Sequence, residues 1–123
     1  MKIFLGLASM AWAACNESSL HLATDRYVSS QSTGSLLWLG DMLNNRKTYF
    51  ENGKTVAVTS NQTAFSIPLR VDHRQSIFDL VQCASFTSLV DSDPATPRII
   101  GAQLWLSDDK VTKIDRIITT PGD

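Results

Sequence analysis

The apolar period of this chain changes once along its length, and that change limits the fold classes open to it. Leu20, Ala23, Tyr27 and Val28 recur near a helical spacing, with Asp25 and Arg26 facing away. Asn16 or Ser18 can cap the first amides, and Gly34 marks the end. A second apolar group, Leu36, Leu37, Leu39, Met42 and Leu43, is short and interrupted by Gly40, which predicts a brief second helix packed on the first and ending at Asn44-Asn45. From Lys47 the spacing becomes two. Lys47 to Asn52 and Thr55 to Thr59 flank Asn52-Gly53, the dipeptide that a tight hairpin turn prefers. Phe65, Ile67, Leu69 and Val71 then alternate with polar residues, and Pro68, which cannot donate to a ladder, predicts an edge or irregular strand.

The rest of the chain continues this pattern. Gln75 to Val81 reads either as a helical turn or as a bulged continuation, Cys83 to Val90 as a strand, and Asp91 to Pro97 as a loop. Ile99 to Leu106 and Val111 to Thr119 flank a turn at Ser107 to Lys110, and the last strands form an antiparallel meander. In Val111 to Thr119, the alternation places Val111, Lys113, Asp115 and Ile117 on one side and Thr112, Ile114, Arg116 and Ile118 on the other. Two helices followed by four or five antiparallel strands make an α+β layout, with the helices on one face of a curved sheet. The mouth of such a sheet is where a small ligand settles.

Residues 1–13 read as a secretory signal peptide, and residues 14–123 as one domain. Lys2 supplies the charge, Ile3 to Ala8 the apolar core, and Ala11-Trp12-Ala13 the small residues at the cleavage site. The competing readings are an apolar N-terminal strand or helix start, and a lipoprotein site at Cys15. A membrane span is not expected, because Cys15-Asn16-Glu17 ends the run well short of about 20 apolar residues. In an exported chain the two remaining cysteines, Cys15 and Cys83, predict one disulfide. Asn16 and Asn61 head sequons and are the expected glycosylation acceptors. A formal charge of −1 with scattered basic residues argues against nucleic acid as a partner.

Several motifs then resemble a known pattern. Ala23-Thr24-Asp25-Arg26-Tyr27-Val28, Tyr49-Phe50-Glu51-Asn52, Pro68-Leu69-Arg70-Val71-Asp72-His73, Ser76-Ile77-Phe78-Asp79, Cys83 and Lys113-Ile114-Asp115-Arg116 resemble a family of small secreted fungal proteins of unknown function. That family is similar to the NTF2-like, SnoaL-like cone, in which N-terminal helices close one side of a curved antiparallel sheet around a pocket. The superfold holds isomerases, cyclases, dehydratases and plain ligand carriers, so the resemblance leaves the activity open.

Within such a pocket the candidate proton carriers are Asp72 and His73. They are adjacent, so on a strand only one of them faces inward. The competing reading pairs Asp72 with Arg70 or Arg74 and leaves His73 on the surface. Tyr49 and Glu51 share one face of their strand and are expected to orient a ligand, with Trp38, Phe65, Phe86 and Trp105 as pocket walls or, alternatively, ordinary core. No metal site and no cofactor are expected, since the two histidines are far apart and nucleotide or hydrolase motifs are missing. The expected partners are a small apolar ligand and at most a second copy of the chain, with no nucleic acid and no membrane. The reading is a secreted small-molecule-binding protein, with cofactor-free isomerisation, cyclisation or dehydration as its possible chemistry. The alternative is a non-catalytic secreted interaction or effector-like protein with a filled interior.

Overall fold

The computed structural model describes residues 15–56 and 68–120. Helix α1 spans Glu17–Thr33 and has a defined cap at each end. The Asn16 side chain accepts a hydrogen bond from the Ser19 amide at 3.2 Å, and Gly34 turns left-handed at φ 74° while its amide donates to the Ser30 carbonyl at 2.9 Å. Its buried face carries Leu20, Ala23, Thr24, Tyr27, Ser30 and Gln31, the stripe that a helix packed on a sheet presents.

The second helix expected after Gly34 is absent. Two separate 3-10 turns stand there, Leu36–Trp38 and Gly40–Met42, and strand β1 has already begun at Leu43. Three residues on either side of Leu39 are too few for a stable α-helix, and the first turn, N-capped by the Ser35 hydroxyl accepting from the Leu37 amide at 3.3 Å, already ends at Leu39.

Strand β1 (Leu43–Glu51) and β2 (Lys54–Thr55) form the expected hairpin. Asn52 and Gly53 sit at φ 51° and 82°, the pair of left-handed residues that a two-residue turn between twisted strands requires. The expected second arm beyond Val56, and Phe65 and Ile67 of the expected edge strand, lie outside the described residues. Pro68 to Val71 is not strand: the Leu69 amide donates to the Gln31 carbonyl at 3.1 Å, fastening this segment under the end of α1. Strand β3 (His73–Asp79) settles the ambiguous stretch in favour of strand, since every residue of it pairs with β4 (Ala84–Asp91). The turn follows at Asp79, whose carboxylate accepts from the amides of Val81 and Gln82, and it closes with Cys83 at φ 53°.

Strands β5 (Arg98–Ser107) and β6 (Lys110–Thr119) complete a six-stranded sheet in the order β2-β1-β6-β5-β4-β3. The meander β3 to β6 is antiparallel throughout, as expected, but β1 joins the free edge of β6 in parallel. The sheet is therefore mixed, with more strands than the sequence suggested. Both neighbours of β6 slip in register along Val111 to Lys113, where Leu106 faces Val111 and Trp105 faces Lys113. The extra residue at this bulge turns both Val111 and Ile114 inward, which overturns the simple alternation read from the sequence.

One face of the sheet packs against α1. Leu20, Ala23 and Tyr27 of the helix meet Leu89, Ile100, Ala102, Leu104, Val111 and Ile114, all fully buried or nearly so. A disulfide joins Cys15, just before the helix cap, to Cys83, just before β4, with the Cα atoms 5.2 Å apart. A few residues away, the Thr24 and Ser85 hydroxyls share a hydrogen bond at 2.8 Å that ties the middle of α1 to β4.

Candidate functional site

At one end of the buried face, five polar side chains replace the apolar ones. Parallel pairing of β1 with β6 sets Glu51 directly beside Arg116, while Tyr49, two residues earlier, shares the inward face of β1. Tyr27 and Gln31, one helical turn apart on α1, come down on the same spot. Arg116 Nη1 donates to Gln31 Oε1 at 2.7 Å and Nη2 donates to Glu51 Oε1 at 3.3 Å. The Tyr49 hydroxyl donates to the same carboxylate oxygen at 3.2 Å, and the Tyr27 hydroxyl donates to Gln31 Oε1 at 3.3 Å. The guanidinium also lies over the Tyr49 ring, 5.5 Å from its centroid.

Burial sets the protonation of this cluster. The Arg116 side chain has no exposed surface, whereas Glu51 keeps 17% of its own. Burial pushes the Tyr27 phenol up to about 12, with Arg116 acting against the shift and Glu51 adding to it. The Tyr49 phenol is raised further by the same burial; Arg116 again opposes, and Glu51 reinforces the shift both as a neighbouring charge and as the acceptor of its hydrogen bond. Both phenols are thus held as neutral donors. Together the groups offer a carboxylate acceptor, two hydroxyl donors, an amide and a guanidinium, with the two charges opposed.

A raised folded pKa means that the unfolded chain loses its tyrosine protons first, near pH 10, while the folded chain keeps them to about 12. Stability contributed by the neutral phenols is complete below pH 10 and is lost as the pH rises through that window. Melting temperature is expected to fall steeply between pH 10 and 12. Tyr27→Phe, though less stable at neutral pH, should show a shallower fall; an unchanged slope would place the alkaline transition elsewhere.

The other residues singled out by the sequence lie elsewhere. Asp72 and His73 are exposed at the start of β3, four strands from β1, roughly 19 Å along the sheet at the usual strand spacing. Asp72 accepts from the Ser92 amide at 2.8 Å and the Ser92 hydroxyl at 2.7 Å, and it pairs with Arg70 at 3.2 Å. These hydrogen bonds from Ser92, then the Arg70 contacts, hold its carboxyl down at about 2, so it fastens the loop after β4 as a fixed anion. Phe86 and Trp105 belong to the outward residues of β4 and β5, alternating with buried Ser85, Thr87, Leu104 and Leu106, so they do not wall the interior. The Phe86 ring covers Gly101, and Lys113 Nζ sits 4.6 Å from the Trp105 ring centroid. Trp38 stands half exposed on the first 3-10 turn. Asn16 is the helix cap, and Phe65 and Asn61 lie outside the described residues.

Of the expected ligand-facing residues among those described, the structure brings together Tyr49 and Glu51. Arg116, Gln31 and Tyr27 complete the cluster and were not read as site residues. A signal for Arg116 exists in the sequence: it stands between Ile114 and Ile118 at strand spacing, a charge on an otherwise apolar face. Gln31 likewise continues the helical stripe of Leu20, Ala23 and Tyr27. Neither signal names the partner that makes burial tolerable.

No protein-family model matches the chain, and no curated protein matches its sequence. Solved structures do match its shape. An NTF2-like protein of unknown function from Burkholderia xenovorans superposes with a TM-score of 0.63 over 87% of this chain and 88% of its own, at 13% identity. The fold is NTF2-like. Two further structures with the same shape are a provisionally assigned isomerase of Rhodopseudomonas palustris (TM-score 0.58, 11% identity, 85% of this chain and 92% of its own) and a provisionally assigned hydroxylase of Streptomyces galilaeus (TM-score 0.57, 8% identity, 86% and 82%). At such identities the NTF2-like likeness extends to the fold and not to the chemistry.

Proposed function

We propose that this chain is an exported NTF2-like protein that takes up a small, mostly apolar or aromatic compound and meets its polar group with Tyr49, Glu51 and Arg116. The observation that carries this reading is the gathering of a carboxylate, a guanidinium and two phenols at one end of an apolar face, the arrangement a pocket for such a compound uses. Glu51 is the member that reaches the surface, at 17% exposure, and so is the first a ligand would meet. Export is supported by the pattern of residues 1–13 and by the disulfide, which persists in oxidising compartments. Asn16 and Asn61 are the acceptors for glycosylation on that route, and the likeness to small secreted fungal proteins belongs to the same reading. The outward apolar side chains Ile77, Phe86, Ile99 and Ile117 support a second copy of the chain as partner.

Cofactor-free proton transfer, as in isomerisation, cyclisation or dehydration, is the chemistry these groups offer. Glu51 would accept the proton while Tyr49, held neutral, donates to the oxygen on which charge develops. This reading moves the proton-carrier role from Asp72 and His73 to Glu51. The second reading, a non-catalytic interaction protein with a filled interior, is favoured by the packing of Tyr27, Gln31, Tyr49 and Arg116 to 1% exposure or less.

One titration separates the two. Thermal unfolding is followed with a set of aromatic and alicyclic ketones and phenols. Ligand uptake predicts that at least one raises the melting temperature by several degrees, and that Tyr49→Phe and Glu51→Gln each weaken it about tenfold. No stabilisation by any compound, or stabilisation indifferent to both substitutions, assigns the interior to the filled reading.

A further inference from the structure

A groove of about 580 Å³ lies on the far side of α1 from the sheet, between the helix and the two 3-10 turns. Asp25, Arg26 and Ser29 line it from the helix; Leu37, Trp38 and Asp41 line it from the turns. The Trp38 side chain is half exposed and Leu37 is 87% exposed, so an indole and an isobutyl group are held out in water. The turns that carry them are tied down. Ser35 fixes the first turn through the Leu37 amide, and Asp41 is pinned twice, by Arg26 at 3.3 Å and through its backbone carbonyl by Lys110 Nζ at 2.6 Å. A preorganised aromatic surface loses little entropy when it binds.

The charges around the indole define what it suits. Asp41 is paired with Arg26, and Asp25 is paired with Arg74 at 2.6 Å. Each carboxylate that lines the groove is therefore already opposed by a guanidinium, so neither stands as an uncompensated charge. Both carboxylates stay largely exposed, at 77% for Asp41 and 63% for Asp25, so they can accept further hydrogen bonds. A flat apolar face flanked by charge-balanced planar hydrogen-bonding groups matches a neutral, hydroxyl-rich ring whose C–H face stacks on the indole. A second depression of similar volume continues past Leu37 and Asp41 toward Gly40, Asn45 and Lys47, which extends the surface beyond one ring. Gly40 leaves its floor open, since a Cβ there would meet nothing within 4 Å.

From this juxtaposition we infer that the Trp38 groove is a binding site for a neutral oligosaccharide, stacked on Trp38 and hydrogen-bonded by Asp25, Arg26 and Asp41. The site is separate from the interior cluster and stands whether or not that cluster takes a ligand. The test titrates the intact protein with chitotetraose, cellotetraose, laminaritetraose and mannotetraose, following tryptophan emission and binding heat. At least one is expected to bind, with an emission change that Trp38→Ala abolishes and an affinity that Trp38→Ala and Asp41→Asn each lower about tenfold or more. Trp105→Ala, on the outer face of the sheet, should bind like the parent. Because Trp38 is half exposed, its removal leaves the fold intact, which circular dichroism checks. Binding by none of the four sugars, binding unchanged in Trp38→Ala, or binding that falls away with added sodium chloride as for a charged ligand would each overturn the assignment.

Discussion

Arg116→Met is expected to lower the unfolding free energy by about 3 to 5 kcal/mol, the usual cost of breaking a buried ion pair from one side. The substitution leaves the Glu51 carboxylate facing an apolar side chain and removes the donor that Gln31 Oε1 holds at 2.7 Å. For a domain of this length that corresponds to a fall in melting temperature of roughly 10 to 20 °C. The double variant Arg116→Met with Glu51→Leu should recover a large part of the loss, because removing both charges together strands neither. Denaturant titration of the two variants and the parent measures this. A single-variant loss below about 1 kcal/mol would mean that Arg116 is not closed off from water in solution, and that the interior is wetter than its packing indicates.

Reduction of the disulfide is the second large effect. Cys15 and Cys83 are 68 residues apart, and closing a loop of that length removes unfolded-state entropy worth about 4 kcal/mol in the chain-entropy model. Against a typical total of 5 to 15 kcal/mol this is a substantial share. Cys83→Ser, or reductant added to the parent, is expected to lower the melting temperature by roughly 15 °C. The loss should appear first as fraying of the α1 N-terminus, since Cys15 precedes the helix cap and its partner precedes β4. Hydrogen exchange resolves the order: faster exchange of the first helical turn, with the amides of β5 and β6 still protected under mild conditions, is the expected pattern. Uniform acceleration across the sheet would show that the bond stabilises the whole molecule at once.

Local chemistry made much of this architecture legible. Asn16 and Gly34 bracket α1 because a side-chain oxygen satisfies an early amide and a glycine accepts the left-handed turn. Asn52-Gly53 specifies its hairpin for the same kind of reason. The α+β class, the terminal meander and the disulfide all follow from short-range pattern or from cysteine count. What was misread depends on contacts between distant segments. The second helix gives way to 3-10 turns because β1 begins at Leu43, and it begins there because β6 provides an edge almost seventy positions later in the chain. The bulge at Thr112 leaves no mark on a hydrophobic pattern, yet it decides which residues of β6 face inward.

The candidate site divides in the same way. Tyr49 and Glu51 were legible as a pair, because strand periodicity alone puts residues two apart on one face. Their partner Arg116 was not. A strand pattern shows that an arginine lies among apolar neighbours, but only the parallel pairing of β1 with β6 shows that a carboxylate stands beside it. Asp72 and His73 attracted attention through residue type, and the sheet order then set them at the opposite edge from β1. Residue chemistry and short-range spacing determined the helix, the turns, the cross-link and the polar groups available. Tertiary structure decided which of those groups lost their water together, because burial and charge pairing are properties of side chains brought close from remote positions, and no local pattern encodes them.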